Sequence, residues 1–183
     1  MTNLPPGLED KTIEIWVDAR GEVYIQKDGD KHTLDKIDSK TKTILKSDFF
    51  NNPSARACLD MMGLYTEDEQ LKKYLACRYG NFDSIPDFSN NGSAMPDYYN
   101  CGNRGLCKFE GKLCDKVRVK NGYITHQEIQ IIRLISEDLA DKEVANMLGI
   151  SINTVTTHVQ NILKKLEVHG RVGICRFAIE HNL

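Results

Sequence analysis

The stretch Asp141-Lys-Glu-Val-Ala-Asn-Met-Leu-Gly-Ile-Ser-Ile152 predicts the end of one helix, a turn of three residues and the start of a second helix. Val144, Ala145 and Leu148 recur at helical spacing and give the first helix, 141–148, one apolar face. Gly149 can end that helix, and Ser151 is a favoured N-cap for the next one, which we predict over 152–166. Two helices joined by a short turn that contains glycine form a helix-turn-helix unit.

The second of these helices divides into an apolar face and a polar face. Its apolar positions recur every three or four residues and should point to the core: Val155, Val159, Ile162, Leu163 and Leu166. The opposite face carries Asn153, Thr156, Thr157, Gln160 and Lys164. Such a face can serve as the recognition surface in the major groove of DNA, and it can equally be the solvated side of any helical bundle. A preceding helix is predicted from the capping-box spacing Thr125-His-Gln-Glu128, which the apolar residues Ile129, Ile132, Leu134 and Ile135 follow.

Several blocks of the C-terminal third carry a resemblance to a known family. They are Ile124-Thr-His-Gln-Glu128, Lys142-Glu-Val-Ala145, Leu148-Gly-Ile-Ser151, Thr154-Val-Thr-Thr-His-Val159 and Ile162-Leu-Lys-Lys-Leu166 followed by Arg171. This pattern resembles the LuxR-type (GerE-like) helix-turn-helix transcription regulators over one third of the chain. The resemblance implies a four-helix domain over 122–183, whose fourth helix, 171–180, forms a homodimer contact.

The resemblance also implies which residues contact double-stranded DNA. Base edges and phosphates would be met by Thr156, Thr157 and Gln160, and the DNA backbone by Lys164 and Lys165. The full predicted set is Ser151, Asn153, Thr154, Thr156, Thr157, Gln160, Lys164 and Lys165. Members of the family often carry lysine at the position of Thr156 and a basic residue at that of Gln160. His158 matches a family histidine, but we expect it to be half-buried and to lock the helices together.

The charge of the chain gives little support to DNA binding by itself. The net charge is −2, and residues 122–183 contain six Lys and Arg against seven Asp and Glu. Because phosphate contacts supply most non-specific affinity, this domain should bind DNA weakly unless other residues add phosphate contacts. A basic stretch just upstream could supply these phosphate contacts, or its charges could merely solvate a loop. It contains Arg104, Lys108, Lys112, Lys116, Arg118 and Lys120.

The N-terminal part, 1–79, reads as a small antiparallel sheet followed by helices. Ile13, Ile15 and Val17, and then Val23 and Ile25, alternate with other residues as strands do, with turns at 18–21 and 28–29. Helical spacing follows from about 35 to 64 with a break at 51–53, and a capping box at Thr66 opens a helix over 67–79. The fold class is therefore predicted to be α+β.

The segment 80–121 has no helical or strand period, and it contains three of four cysteines that could form one site. Cys77, Cys101, Cys107 and Cys114 satisfy the ligand count of a tetrahedral zinc site or a 4Fe-4S cluster. Their spacing, with 23, 5 and 6 intervening residues, lacks the Cys-x-x-Cys knuckle of most zinc sites and tilts the choice toward iron–sulfur. Free thiols in a loop are the third reading. Cys58 and Cys175 have apolar neighbours and should be core residues.

Other classes of protein are disfavoured by the sequence. No apolar run approaches the length of a membrane span, and the N-terminus lacks the features of a secretory signal, so we expect a cytoplasmic protein. No catalytic grouping of side chains indicates an enzyme. The N-terminal part is short for an acyl-homoserine-lactone domain and lacks the strand–helix alternation of a phosphoacceptor receiver. The remaining alternatives are a protein-interaction adaptor and a sigma-factor-like protein that binds RNA polymerase.

Overall fold

The computed structural model describes residues 4–96, 98–181 and 183 and divides the chain into two compact units. The first comprises Met1–Tyr99 with Lys112–Asp115, and the second comprises Asn100–Gly111 with Lys116–Leu183. The segment 80–121, which the sequence led us to set apart as one irregular loop, is thus shared between the two units. The α+β class agrees with this architecture, since a small antiparallel sheet and helices are both present.

The sheet of the first unit is a three-stranded antiparallel meander. Its strands are β1 (Glu14–Val17), β2 (Val23–Lys27) and β3 (Asp30–Thr33), in that spatial order. Asp28 and Gly29, which join β2 to β3, have φ of +52° and +87°, as a tight hairpin turn requires. Both predicted turns therefore connect strands as expected. Ile15, Val23 and Ile25 are buried on the inner face of the sheet.

Three helices follow the sheet, with the third packed on β1 and β2 and the other two packed on the third, and their boundaries follow from capping. They are α1 (Ser39–Phe50), α2 (Pro53–Met61) and α3 (Glu67–Arg78). Asn52 caps α2 by accepting from the Ala55 N–H, and Thr66 and Glu69 form the predicted capping box of α3. Their buried residues include Leu45, Phe49, Leu59, Leu71, Tyr74 and Leu75. The predicted helices and the break between the first two are confirmed.

Two buried tyrosines share one acceptor in the core of this unit. The hydroxyls of Tyr74 and Tyr79 each donate to Asp48 Oδ2 at 2.7 Å. Burial and the neighbouring carboxylate raise the pKa of both phenols above the usual value. The pair therefore fixes the end of α3 against α1 through neutral hydroxyl groups.

Part of the segment that we predicted to be irregular extends the sheet. Ile13 and Phe88 exchange two backbone hydrogen bonds of 3.0 and 3.1 Å, and Phe88 also bridges to Ala94. Asp87, itself buried, accepts from the Ile15 N–H at 2.7 Å. These long-range contacts hold residues 87–94 against β1 without any local periodicity in their sequence.

The second unit consists of a β-hairpin and four helices. The hairpin pairs β4 (Val117–Val119) with β5 (Gly122–Ile124), and the helices are α4 (His126–Ser136), α5 (Asp141–Leu148), α6 (Ile152–Leu166) and α7 (Gly170–Glu180). Their common core includes Ile129, Ile132, Ile135, Val144, Val155, Ile162, Ile174 and Phe177. The predicted bounds of α5 and α6 and the four helices predicted for 122–183 are confirmed, and the first three residues of that range form β5.

None of the helices in the described part of the chain combines the length and the apolar character that crossing a membrane requires.

Candidate nucleic-acid interface

The turn between α5 and α6 is built from the signals seen in the sequence. Gly149 adopts the left-handed conformation at φ +64° and donates its N–H to carbonyl oxygens at the end of α5. Ser151 caps α6 by accepting from the Thr154 N–H at 3.1 Å. Val144 and Ala145 are buried, so α5 packs closely against α6. The helix-turn-helix geometry is therefore present.

The exposed face of α6 carries most of the side chains that the sequence predicted to contact DNA. Six of the predicted DNA-contacting side chains are exposed: Ser151, Asn153, Thr156, Thr157, Gln160 and Lys164. On the opposite side, Val155 and Ile162 are buried, and Val159, Leu163 and Leu166 are half-buried. His158 is half-buried, as expected for a residue between the two faces.

The hydroxyl groups of two threonines on this face are engaged inside the helix. Thr156 Oγ1 donates to the Ile152 carbonyl at 3.0 Å, and Thr157 Oγ1 donates to the Asn153 carbonyl at 2.9 Å. A hydroxyl has one hydrogen to donate, and phosphate oxygens only accept. In this conformation the two threonines therefore offer methyl groups and acceptor oxygens to a ligand, rather than donors for phosphate.

Lys164 and Lys165, predicted together as backbone contacts, have different environments. Lys164 is exposed. The Lys165 ammonium lies 2.8 and 2.7 Å from the two carboxylate oxygens of Glu128, a residue only 2% exposed. Glu128 also accepts from the Thr125 N–H in the capping box of α4. Lys165 therefore anchors α6 to α4, which the sequence analysis did not foresee.

The β4–β5 hairpin caps the C-terminal end of α6. Asn121 donates to the Lys164 carbonyl at 3.3 Å and to Glu167 Oε1 at 2.8 Å, and Lys120 forms an ion pair with Glu167. The hydrogen bonds that Lys120 and Asn121 donate to Glu167 lower the pKa of its carboxyl group. Glu167 itself takes the left-handed C-cap conformation at φ +54°. The hairpin thus fixes the C-terminal end of α6.

A buried polar cluster holds residues 100–111 onto this unit. Glu110 Oε2 accepts from the Gly105 N–H at 2.7 Å and lies 2.8 Å from His126 Nδ1, while Glu110 Oε1 lies 3.5 Å from Arg104 Nη1. The side chains of Arg104 and Glu110 are 1% and 4% exposed. Gly105 packs so closely that a Cβ there would lie 2.9 Å from Ile129 Cγ2. Sequence reasoning missed this cluster because it counted Arg104 only as one charge of a basic stretch, and no local pattern marked Glu110 as buried.

Comparison with known proteins bears on this unit directly. Residues 123–178 match the family described as bacterial regulatory proteins, luxR family. Residues 123–178 form a luxR-family domain. The resemblance inferred from the sequence blocks is thereby confirmed.

Longer similarities extend beyond the luxR domain. The chain is similar to the response regulator protein VraR of Staphylococcus aureus strains COL and MW2, in each case 30% identical over 130 residues. That alignment covers 67% of this chain and 61% of the relative. The chain therefore spans about three fifths of the length of the curated relatives it matches.

The upstream basic stretch is divided between the two units and between buried and exposed positions. Arg104 is buried beside Glu110, and Lys120 pairs with Glu167. Lys112 belongs to the first unit. Lys108, Lys116 and Arg118 are exposed in the second unit. The help with phosphate binding expected from this stretch is therefore reduced to these three side chains.

The four cysteines predicted to share one metal are distributed between the units. Cys77 and Cys114 belong to the first unit, and Cys101 and Cys107 belong to the second. Among the residues that the structure describes, no three His, Cys, Asp or Glu side chains are grouped as a metal site requires. Cys58 is buried, as expected, and Cys175 is half-buried with its thiol 3.8 Å from the Ile135 carbonyl.

Proposed function

We propose that the protein is a sequence-specific DNA-binding transcription regulator in which α6 enters the major groove. The observation that carries the proposal is the exposed polar face of α6, set on a luxR domain whose helix-turn-helix geometry is complete. The N-terminal ends of recognition helices contact base edges, while flanking cations contact phosphates. We assign the first role to the exposed residues Asn153, Thr156, Thr157 and Gln160, and the second to Lys164.

Two alanine variants should separate these roles. Lys164→Ala should weaken binding to all DNA sequences alike and make the slope of log affinity against log salt shallower by about one, since one phosphate contact is lost. Gln160→Ala should instead relax base choice at one position, at a cost of about 1–3 kcal/mol on the preferred sequence. Selection of duplexes from a random pool, followed by titrations over a salt series, measures both effects.

Lys73→Ala is the charge-matched control, because Lys73 is exposed on α3 of the first unit. It should leave affinity, base choice and salt dependence unchanged. If the parent protein retained no duplex from the pool at low salt, DNA binding would be excluded. The adaptor reading would then gain support from a tight protein partner, and the sigma-factor-like reading from direct binding of RNA polymerase.

We further propose that the protein forms a homodimer through 171–180, within α7. Val172 and Ile179 are each 75% exposed, and a separation of seven residues places them on one face of the helix. Arg171 lies on another side, where it pairs with Asp141 inside the domain. An unpaired apolar stripe of this kind suits a two-fold contact, and a dimer would double the phosphate contacts available to a weakly charged domain.

Val172→Asp should convert this dimer to a monomer, because it places a carboxylate in the centre of an apolar contact. Analytical ultracentrifugation over a concentration series measures the change. Met61→Asp is the matched control, since Met61 is an exposed apolar residue of the first unit. A parent protein that sediments as a monomer at all concentrations, or a Val172→Asp variant that stays dimeric, would contradict the proposed contact.

The cysteine site stays a prediction, now supported by ligand chemistry alone. The expected result for a 4Fe-4S cluster is absorbance near 400 nm after anaerobic purification, with about four irons per chain. A colourless protein with one zinc per chain would favour the structural zinc site. A protein that contains no metal would favour the third interpretation, four free thiols.

A further inference from the structure

The first three turns of α6 carry no arginine or lysine. The first lysine or arginine after Ser151 is Lys164. At 1.5 Å of rise per residue, Lys164 lies about 18 Å along the helix axis from Ile152. Arginine and lysine are the side chains that most often read guanine, through its O6 and N7 acceptors. The part of the helix that enters the groove therefore lacks the usual readers of G·C pairs.

The side chains present instead are suited to A·T pairs. Asn153, Thr156, Thr157 and Gln160 follow the spacing i, i+3, i+4 and i+7, so they form one stripe along the helix. The side-chain amide of Asn153 or Gln160 can form two hydrogen bonds to one adenine, accepting from N6 and donating to N7. Ile152, which lies one turn before Thr156, is 48% exposed and adds apolar surface to the same stripe.

The hydrogen bonds of the threonines strengthen this preference. Because Thr156 and Thr157 donate to the carbonyls of Ile152 and Asn153, their remaining chemistry is a methyl group and an acceptor oxygen. The acceptor oxygens can bond the amino groups of adenine and cytosine alike, whereas a methyl group packs favourably against the C5-methyl of thymine, which only A·T pairs carry.

We propose that α6 reads a half-site whose core is A·T base pairs, with the methyl groups of Thr156 and Thr157 and the Ile152 side chain packed on thymine methyls and Asn153 and Gln160 bonded to adenines. This inference rests on the proposed DNA-binding function and specifies its ligand. The recognition surface is thus largely uncharged and selects bases by methyl contacts and amide bonds.

Duplexes with uracil in place of thymine test the methyl contacts directly. The preferred duplex is first selected from a random pool, and each thymine of its core is then replaced by deoxyuridine, which removes only the C5-methyl. Loss of a buried methyl contact should weaken binding about fourfold at each contacted thymine. The selected core should consist mainly of A·T pairs.

Thr156→Ser is the matched variant, because it removes the side-chain methyl and keeps the hydroxyl. It should bind the thymine duplex more weakly than the parent does, and should no longer respond to uracil at the one thymine that Thr156 contacts. Thr157→Ser should do the same at a neighbouring position. Circular dichroism checks that both variants remain folded.

The outcomes separate this inference from the function on which it rests. A selected core of G·C pairs, or a core in which uracil is tolerated everywhere, would overturn the A·T readout while leaving DNA binding intact. Failure to select any duplex at low salt would overturn both.

Discussion

Replacing Lys165 by methionine is expected to lower the free energy of unfolding of the luxR domain by about 3 kcal/mol. Glu128 is 2% exposed, and its carboxylate would lose the ammonium that contacts both of its oxygens. A buried charge without its partner is strongly destabilising, and methionine keeps the length of the aliphatic stem. Breaking a buried ion pair usually costs about 3–5 kcal/mol. We expect the lower end of that range because 26% of the Lys165 side chain is exposed, so water already weakens the pair.

Lys164→Met is the control for this variant, since it removes the same charge from the neighbouring, exposed position. It should change stability by about 0.5 kcal/mol or less. Hydrogen exchange followed by mass spectrometry assigns the change to residues 122–183 and keeps the first unit as an internal reference. Equal loss of protection in the two variants would contradict the structural role of Lys165.

A double variant tests whether the buried charge of Glu128 causes the loss of stability. Glu128→Gln combined with Lys165→Met removes both charges, while the glutamine oxygen can still accept from the Thr125 N–H. The double variant should be more stable than Lys165→Met alone, because no charge is left buried. A double variant less stable than the single one would mean that packing, rather than charge, sets the cost.

The helices of the luxR domain could be predicted because their signals are local. Thr125 with Glu128, Gly149 and Ser151 each fix a helix end within about one turn, and apolar spacing assigns the buried faces. The β4–β5 hairpin also had a local signal, since Asn121-Gly122 lies between alternating apolar residues. We missed it because its strands are only three residues long and adjoin a segment without periodicity.

The polar contacts between elements could not be predicted in the same way. Glu128 is already explained by its capping box, so nothing in the local sequence indicates that it also binds a lysine 37 residues further along the chain. The glycines and cysteines in 80–121 likewise suggested a metal site as one way to order this segment. The structure pairs Phe88 with Ile13 and buries Glu110 beside His126, and each partner lies outside the segment.

Replacing Glu110 by alanine is expected to release residues 100–111 from the luxR domain and to cost about 3 kcal/mol. The variant leaves the Arg104 guanidinium, 1% exposed, without the carboxylate that lies beside it. It also removes the acceptor of the Gly105 N–H and the partner of His126. Hydrogen exchange of the Gly105 amide, measured in a peptide that covers 100–111, should increase steeply.

Two comparisons make the Glu110 prediction specific. Glu110→Gln keeps an oxygen that can accept from Gly105, so its loss of protection should lie between those of the parent and the alanine variant. Lys108→Ala removes an exposed charge from the same segment and should change stability by about 0.5 kcal/mol or less. If a cysteine-bound metal ordered this segment instead, Cys101→Ser or a chelator would release it and Glu110→Ala would have little effect. The order of residues 100–111 therefore distinguishes a segment held by a buried ion pair from one held by metal.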